Sequence, residues 1–493
     1  MRVHLVIRTA SVLALCVLGA CKVGPDYTPP EIPMPDAWTQ ELKTGVFQGP
    51  TELAQWWEKF QDPVLNELID RADKGNLDLA IALARIKQAR AALGISKGEF
   101  LPAVDATGSA EYIDPSNNGL GGALAGNGSD LWSLGFDATW ELDVFGRIAR
   151  NVESSAAGLG AQYEAYRDVR VVLFAEVAAN YMTMRAFQQR LAFANDNVKS
   201  QEESLKLAES RFEAGVSPEL DVAQAKSNLG DTRSIIPALE QGRVAALLRI
   251  AVLLGAHPGE VTEMLGEVLK VPTPPEQVGV GVPADMIRQR PDIRAAERQL
   301  AASTAQIGVA TADLYPRFAL NGFFALESTS LSNLFSSDSV TWGIGVPIRW
   351  SLFAGGRIKS NIALQEARTE EALKLYERTV LLAIEEIEGS INRYEQEQQR
   401  RDALEFAVEA AQRSVTLSTD LYRQGLVDFQ RVLDAQRSLF QFQDSAAQSR
   451  GFVSNNLVSL YKALGGGWET RPEEAAKEAA GEEKKPADPA KSS

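Results

Sequence analysis

Cysteine and histidine are nearly absent, with two of each in 493 residues. Cys16 and His4 lie inside a leader-like start, so the processed chain would keep only Cys21 and His257. An intrachain disulfide is then excluded, and so is a zinc site built from Cys and His. Past position 20 no run of about eighteen apolar residues occurs, so no transmembrane helix is expected. Positive charge is also short. Lys and Arg number 50 against 65 Asp and Glu, a net −15. That excludes the basic surface a nucleic-acid binder needs.

What the chain does have is alternation. Trp132, Leu134, Phe136, Ala138, Trp140, Leu142 and Val144 share one face of a strand, against Ser133, Gly135, Asp137, Thr139, Glu141 and Asp143 on the other. An apolar face with two tryptophans, backed by small and acidic residues, suits a wall between lipid and water. About ten residues cross a bilayer as a tilted strand. The pattern returns at Trp342, Ile344, Val346, Ile348, Trp350 and Leu352, and Trp140 and Trp350 stand 210 positions apart. Gly146/Gly356, Arg147/Arg357, Ile148/Ile358, Asn151/Asn361, Gly215/Gly425 and Gly255/Gly465 keep that offset, while Gly94/Gly308, Pro102/Pro316 and Gly108/Gly322 keep one of 214. One register held over so long a stretch is the mark of an internal duplication. Each unit reads helix–strand–strand–helix–turn–helix.

In chain order, residues 1–20 have the basic start and apolar core of a secretory signal. Leu18-Gly19-Ala20-Cys21 resembles a bacterial lipobox, which makes Cys21 the lipid attachment site. The plain alternative is a signal peptide with an incidental Cys. Lys22, rather than an acidic residue, leaves the outer membrane as the destination. Residues 21–75 form a proline-rich tether and then an equatorial segment, with a helix starting at Asp62-Pro63. Residues 76–259 are the first repeat. It has a helix from Leu77, a strand after Pro102, the Trp132 strand, a proline-free helix of roughly 100 Å to Gly215, and a helix from Glu219 to Leu254. Val198, Leu205, Ala208 and Phe212 mark a coiled-coil seam. Residues 260–284 are a Pro-rich connector. Residues 285–467 repeat the plan, with a helix to Leu314, a strand on which Phe318, Leu320, Phe324 and Leu326 alternate, a strand from Trp342 to Leu352, and long helices meeting at Gly425. Residues 468–493 are a charged tail, expected to be disordered.

The fold class is α+β. One chain supplies four membrane strands, and lipid forbids their open edges. Two copies would give a barrel of eight strands filled by side chains; three would give twelve and room for water. The polar inner face favours a trimeric twelve-stranded transmembrane β-barrel, continued by a long α-helical coiled-coil barrel.

Several stretches match a family. They are Cys21 with Val23-Gly24-Pro25-Asp26-Tyr27, Trp56-Trp57 with Phe60, Asp62 and Pro63, Arg290-Pro291-Asp292-Ile293-Arg294-Ala295-Ala296-Glu297, Asp313-Leu314-Tyr315-Pro316, and Tyr422-Arg423-Gln424-Gly425 through Asp434-Ala435-Gln436-Arg437. With these the chain resembles the TolC-like outer membrane efflux proteins, in their NodT-type lipoprotein group. The resemblance implies a homotrimeric exit duct of a tripartite pump in the outer membrane. Its partners would be a periplasmic adaptor and an inner-membrane transporter, commonly proton-driven. It implies no cofactor.

The resemblance also places a constricting acid at Asp434, near the second helical turn. Threefold symmetry would bring three such carboxylates together, where they repel and raise one another's pKa. The bland reading is a solvated helix face. Gln430 and Arg431 lie about a turn away, and Arg431 is in reach to pair with Asp434. Asp221 and Tyr422 sit at matching ends of the two hairpins, where relatives bond to hold the tip shut; alternatively Tyr422 is a seam residue in the place of Phe212. His257 reads as a turn residue, and Gly355-Gly356-Arg357 lacks the Lys-Ser/Thr ending of a phosphate loop. The chain is therefore read as a non-enzyme without a metal site. The rival readings are a lipid-anchored adaptor, a diffusion porin, a type I secretion duct and, last, a lipoprotein enzyme.

Overall fold

The computed structural model describes residues 22–469, apart from Met34, Asp36, Thr44, Pro115, Asn117 and residues 119–127. The leader, Cys21 and the tail beyond Glu469 lie outside the described residues. The helices are α1 (Pro63–Gly75), α2 (Leu77–Gly98), α3 (Arg147–Glu213), α4 (Glu219–Leu254), α5 (Pro258–Leu265), α6 (Pro283–Gln289), α7 (Pro291–Ala312), α8 (Arg357–Arg423) and α9 (Phe429–Ala463). The main strands are β1 (Ala103–Ile113), β2 (Ser129–Leu142), β3 (Arg317–Ser328), β4 (Val340–Gly345) and β5 (Ile348–Arg349). α3 and α8 each run 67 residues. The chain divides into two compact units, and each draws on both sequence repeats.

The first unit gathers Ala84–Tyr163, Ala295–Glu377 and the segment ending at Glu31. It holds an antiparallel sheet in the order β1-β2-β3-β4, with β5 also pairing β3. The β2–β3 ladder joins the two repeats, from Trp132 opposite Ser328 to Leu142 opposite Phe318. The strand expected from Trp342 to Leu352 is broken into β4 and β5. Pro347 keeps the alternation but has no N–H to give the ladder; its carbonyl still accepts from the Ala319 amide at 3.2 Å. The Trp132 strand, β2, begins three residues earlier than expected and stops at Leu142. Asp143 turns instead to α3, where its carboxylate accepts from the amides of Ile148 and Ala149 at 2.9 and 2.7 Å. That satisfies two of the amides a helix start leaves orphaned.

Two tryptophans tie strand to helix in the same way in both repeats. Trp140 Nε1 donates to Phe100 O at 2.8 Å, and Trp350 Nε1 to Leu314 O at 3.0 Å. Donors and acceptors keep the two offsets read from the sequence. The extended segment after Lys22 is pinned from its start. Arg150, 1% exposed, donates to Val23 O, Gly24 O and Asp26 Oδ1 at 3.0, 3.2 and 2.7 Å, and to Glu153 at 2.9 Å. Gly24 lies so close to Gly308 that a Cβ on it would come within 2.4 Å of the Gly308 Cα.

The second unit gathers Ile32–Leu83, Glu164–Arg294 and the chain from Arg378. Trp56 stacks on Tyr461 with ring centroids 5.3 Å apart, and Trp57 meets Phe174 edge-on at 5.1 Å. Asp62 caps α1 through the Val64 and Leu65 amides and also accepts from Tyr181 Oη at 2.7 Å. The connector is more ordered than its prolines imply. It carries α5, with His257 just ahead of it, and a short parallel pairing of Val46–Phe47 with Val278–Gly279. The single helix expected from Asp285 to Leu314 is two, broken at Arg290 (φ −63°, ψ 128°). Pro291 disfavours helical backbone in the residue before it.

Arg290 uses that break. Its guanidinium donates to Ala463 O at the end of α9, to Asp292 Oδ2 at 2.8 Å and to Glu386 Oε2 at 2.9 Å. Asp168 stands in the same charged cluster. Burial, with Asp292 nearby, pushes its carboxyl up to about 6, against the pull of Arg290 and Lys462. The folded chain thus binds this proton more tightly than the unfolded one. Ionised Asp168 costs stability above about pH 6, and the cost fades toward about pH 4. Asp168→Asn is expected to raise the thermal midpoint by a few degrees near pH 8 and by little near pH 4. Melting curves of both proteins across that range check it; an equal shift at both ends would refute the assignment.

Candidate functional site

Both hairpins turn alike. Gly215 (φ 71°) and Gly425 (φ 75°) take the left-handed conformation that closes a helix end. Gly215 N bonds Phe212 O at 2.9 Å and Val216 N bonds Arg211 O at 3.0 Å. Gly425 N bonds Tyr422 O and Leu426 N bonds Leu421 O, both at 2.9 Å. A side chain at either glycine would be strained, which accounts for glycine at both places.

The two turns are held against each other by a small core of Ala208, Val222, Ala225, Tyr422, Phe429, Val432 and Leu433, with Leu205 packed against it. Tyr422 is its polar member. It is 3% exposed, and its Oη donates to Asp221 Oδ2 at 3.2 Å. The Arg211 guanidinium lies 4.7 Å from the Tyr422 ring centroid, and Phe429 packs at 5.0 Å. Burial, together with the Asp221 carboxylate, raises the Tyr422 pKa, and Arg211 partly opposes this. The phenol stays protonated and able to donate. Phe212, expected on the seam, is 43% exposed. The duplicated positions have diverged, one into the core and one out of it.

Asp434 is exposed on α9, six residues past the N-cap Asp428, which accepts from the Arg431 amide at 3.2 Å. Its partner is Gln430, whose Nε2 donates to Asp434 Oδ1 at 2.7 Å. The expected pairing with Arg431 is absent: among the described residues the Arg431 guanidinium makes no ion pair. Gln430 lies four residues before Asp434 on the same helix face and reaches the carboxylate first. Arg431 and Asp434 instead open onto a cavity of about 700 Å³ that Phe406, Leu417, Leu421 and Phe442 also line.

Three polar contacts escaped the sequence reading. Gln436 Nε2 donates to Ser204 Oγ at 2.7 Å, Arg437 Nε to Asn228 Oδ1 at 2.8 Å, and Gln201 Nε2 to Thr232 Oγ1 at 2.9 Å. They bind the hairpin helices together behind the turns. Gln436 and Arg437 fall within a quoted family motif, which was the available signal. Gln201 and Arg211 had none. Among the described residues no group of His, Cys, Asp or Glu could hold a metal ion.

Comparison with known proteins agrees with this architecture. The family model described as outer membrane efflux protein matches residues 68–256 and 282–466. Nodulation protein T of Rhizobium leguminosarum bv. trifolii is 32% identical over 452 residues, covering 92% of this chain and 96% of its own. The pyoverdine export outer membrane protein OpmQ of Pseudomonas aeruginosa is 31% identical over 470 residues, covering 94% and 98%. The solved outer-membrane channel OprN superposes with a TM-score of 0.85 at 36% identity, over 91% of this chain and 100% of that one. The chain belongs to the outer membrane efflux protein family.

Proposed function

We propose that three copies of this chain form the outer-membrane exit duct of a tripartite efflux pump, passing small molecules out of the cell. The sheet carries this reading, with β4 and β5 as two pieces of its fourth strand. Among the described residues β1 on one edge and β4 and β5 on the other have no further partner. Its large apolar side chains stand out uncovered: Phe136 is 58% exposed, Ile348 62%, and Trp342 and Ile344 71% each. A surface of that kind is stable in lipid, but lipid does not tolerate the open edges. Three copies closing edge to edge make a twelve-stranded barrel, and the long hairpins of α3–α4 and α8–α9 continue it as a helical tunnel. Cys21 carries the lipid anchor. A periplasmic adaptor and a proton-driven inner-membrane transporter complete the pump. OpmQ, named for pyoverdine export, supports small-molecule cargo.

The hairpin turns close the duct at rest. Tyr422 and Asp221 latch one hairpin to the other, and Asp434, held by Gln430 and with Arg431 beside it, rings the opening. Single-channel recording in planar bilayers tests this. Wild type should show small steps and Asp434→Ala larger ones. Tyr422→Phe removes a hydrogen bond of about 1 kcal/mol and should raise the open fraction about five-fold. Equal, large steps from all three would remove the gate and keep the channel. Silence from inserted wild type and variants would remove the duct. Cys21→Ser should yield a product lacking acyl mass and no longer held by a lipid anchor, checked by mass spectrometry and membrane fractionation.

A further inference from the structure

The two repeats differ at the foot of their strand pairs. In the first, one guanidinium and several amide donors are met by the chain's own carboxylates. Arg147 donates to Glu141 at 2.9 and 3.2 Å and to Glu99 at 3.4 Å. Asn151 donates to Glu99 at 3.2 Å, and Asp143 caps the start of α3. In the second repeat the donors persist: the guanidinium of Arg357, the backbone amide of Ile358 and the side-chain amide of Asn361. The carboxylates do not. Glu141 and Asp143 are replaced by Ser351 and Phe353, and only Asp313, in the place of Glu99, remains.

Positive charge has meanwhile been added. Arg317 stands where the first repeat has Ala103, and Arg349 where it has Thr139. The β3–β5 register sets these two arginines directly opposite each other. Like charges in that position repel. Asp313 pairs with Arg317. Among the described residues, Arg349 and Arg357 form no ion pair, and no carboxylate caps Ile358 or Lys359. All three guanidinium groups line one cavity of about 450 Å³, together with Asp313, Ser351 and Asn361. Three cations against one anion leave it two charges positive. Arg317 and Arg349 stand on the polar face of the strands, opposite to the face of Phe318 and Ile348.

We infer that the second repeat takes from solution the negative charge that the first carries in its own chain. The ligand is a phosphate-sized oxyanion seated among Arg317, Arg349 and Arg357. Planar guanidinium forks match the oxygens of phosphate or carboxylate in pairs. On the proposed barrel that polar face is the water-facing one, so the anion arrives as a dissolved ion or as a group on a dissolved molecule.

Titration calorimetry of the full-length protein in detergent, with inorganic phosphate at constant ionic strength, tests this. Wild type should bind one phosphate per chain. Arg349→Gln should weaken binding about ten-fold. Ser351→Glu, which restores the carboxylate of the first repeat, should abolish it while leaving the melting temperature equal or higher. Absence of saturable binding by wild type would overturn the site, as would binding that survives both variants. Phosphorus retained as copurified lipid and lost in Arg349→Gln would overturn the dissolved anion in favour of a headgroup. A carboxylate from a neighbouring copy would also overturn it, and would show as no phosphate uptake together with weakened assembly of Arg349→Gln.

Discussion

A backbone amide stranded in hydrocarbon costs several kcal/mol, and that penalty shapes everything else in the proposed duct. The sheet gives its inner strands partners on both sides and leaves β1 and β4 each with one open side. No side chain can repair an open edge; only another strand can. The number of copies then follows from the width needed for water, and the number of tunnel helices follows from the number of copies. The tryptophans at the strand feet mark where that regime ends. Their indoles reach back to carbonyls at the ends of α2 and α7, so strand gives way to helix with its polar groups satisfied.

The parts of this architecture governed by period and offset were legible in the sequence. A period of two with bulky residues reveals β2, and the long proline-free stretches reveal α3 and α8. Interruptions by a single backbone group were not. Pro347 sits at an ordinary place in an alternating run and still breaks it. Pro291 splits a helix at a motif that reads smoothly as helical. The pairing of Val46–Phe47 with Val278–Gly279 is too short to carry any periodicity. At the turns, Tyr422 and Asp221 could be matched because they sit at corresponding hairpin ends. The choice of Gln430 over Arg431 as partner of Asp434 depends on side-chain direction along a helix, which spacing alone does not fix.

The duplication is also less symmetric than its offsets. Tyr422 occupies the position of Phe212, and Asp221 that of Arg431. A hydroxyl and a carboxylate therefore meet once per chain and not twice. That bond belongs to the same small core as Val222, Phe429 and Val432, so polar latch and apolar packing share one junction.

The β2–β3 ladder has a consequence for how the protein is made. Synthesis runs from the N-terminus, and β2 leaves the ribosome long before β3. All of α3, α4, the connector, α6 and α7 come between them. Through that interval β2 has β1 along one edge and no strand along the other. The sheet needs strands from both halves of the chain, so its apolar surface is incomplete until β3 and β4 have followed.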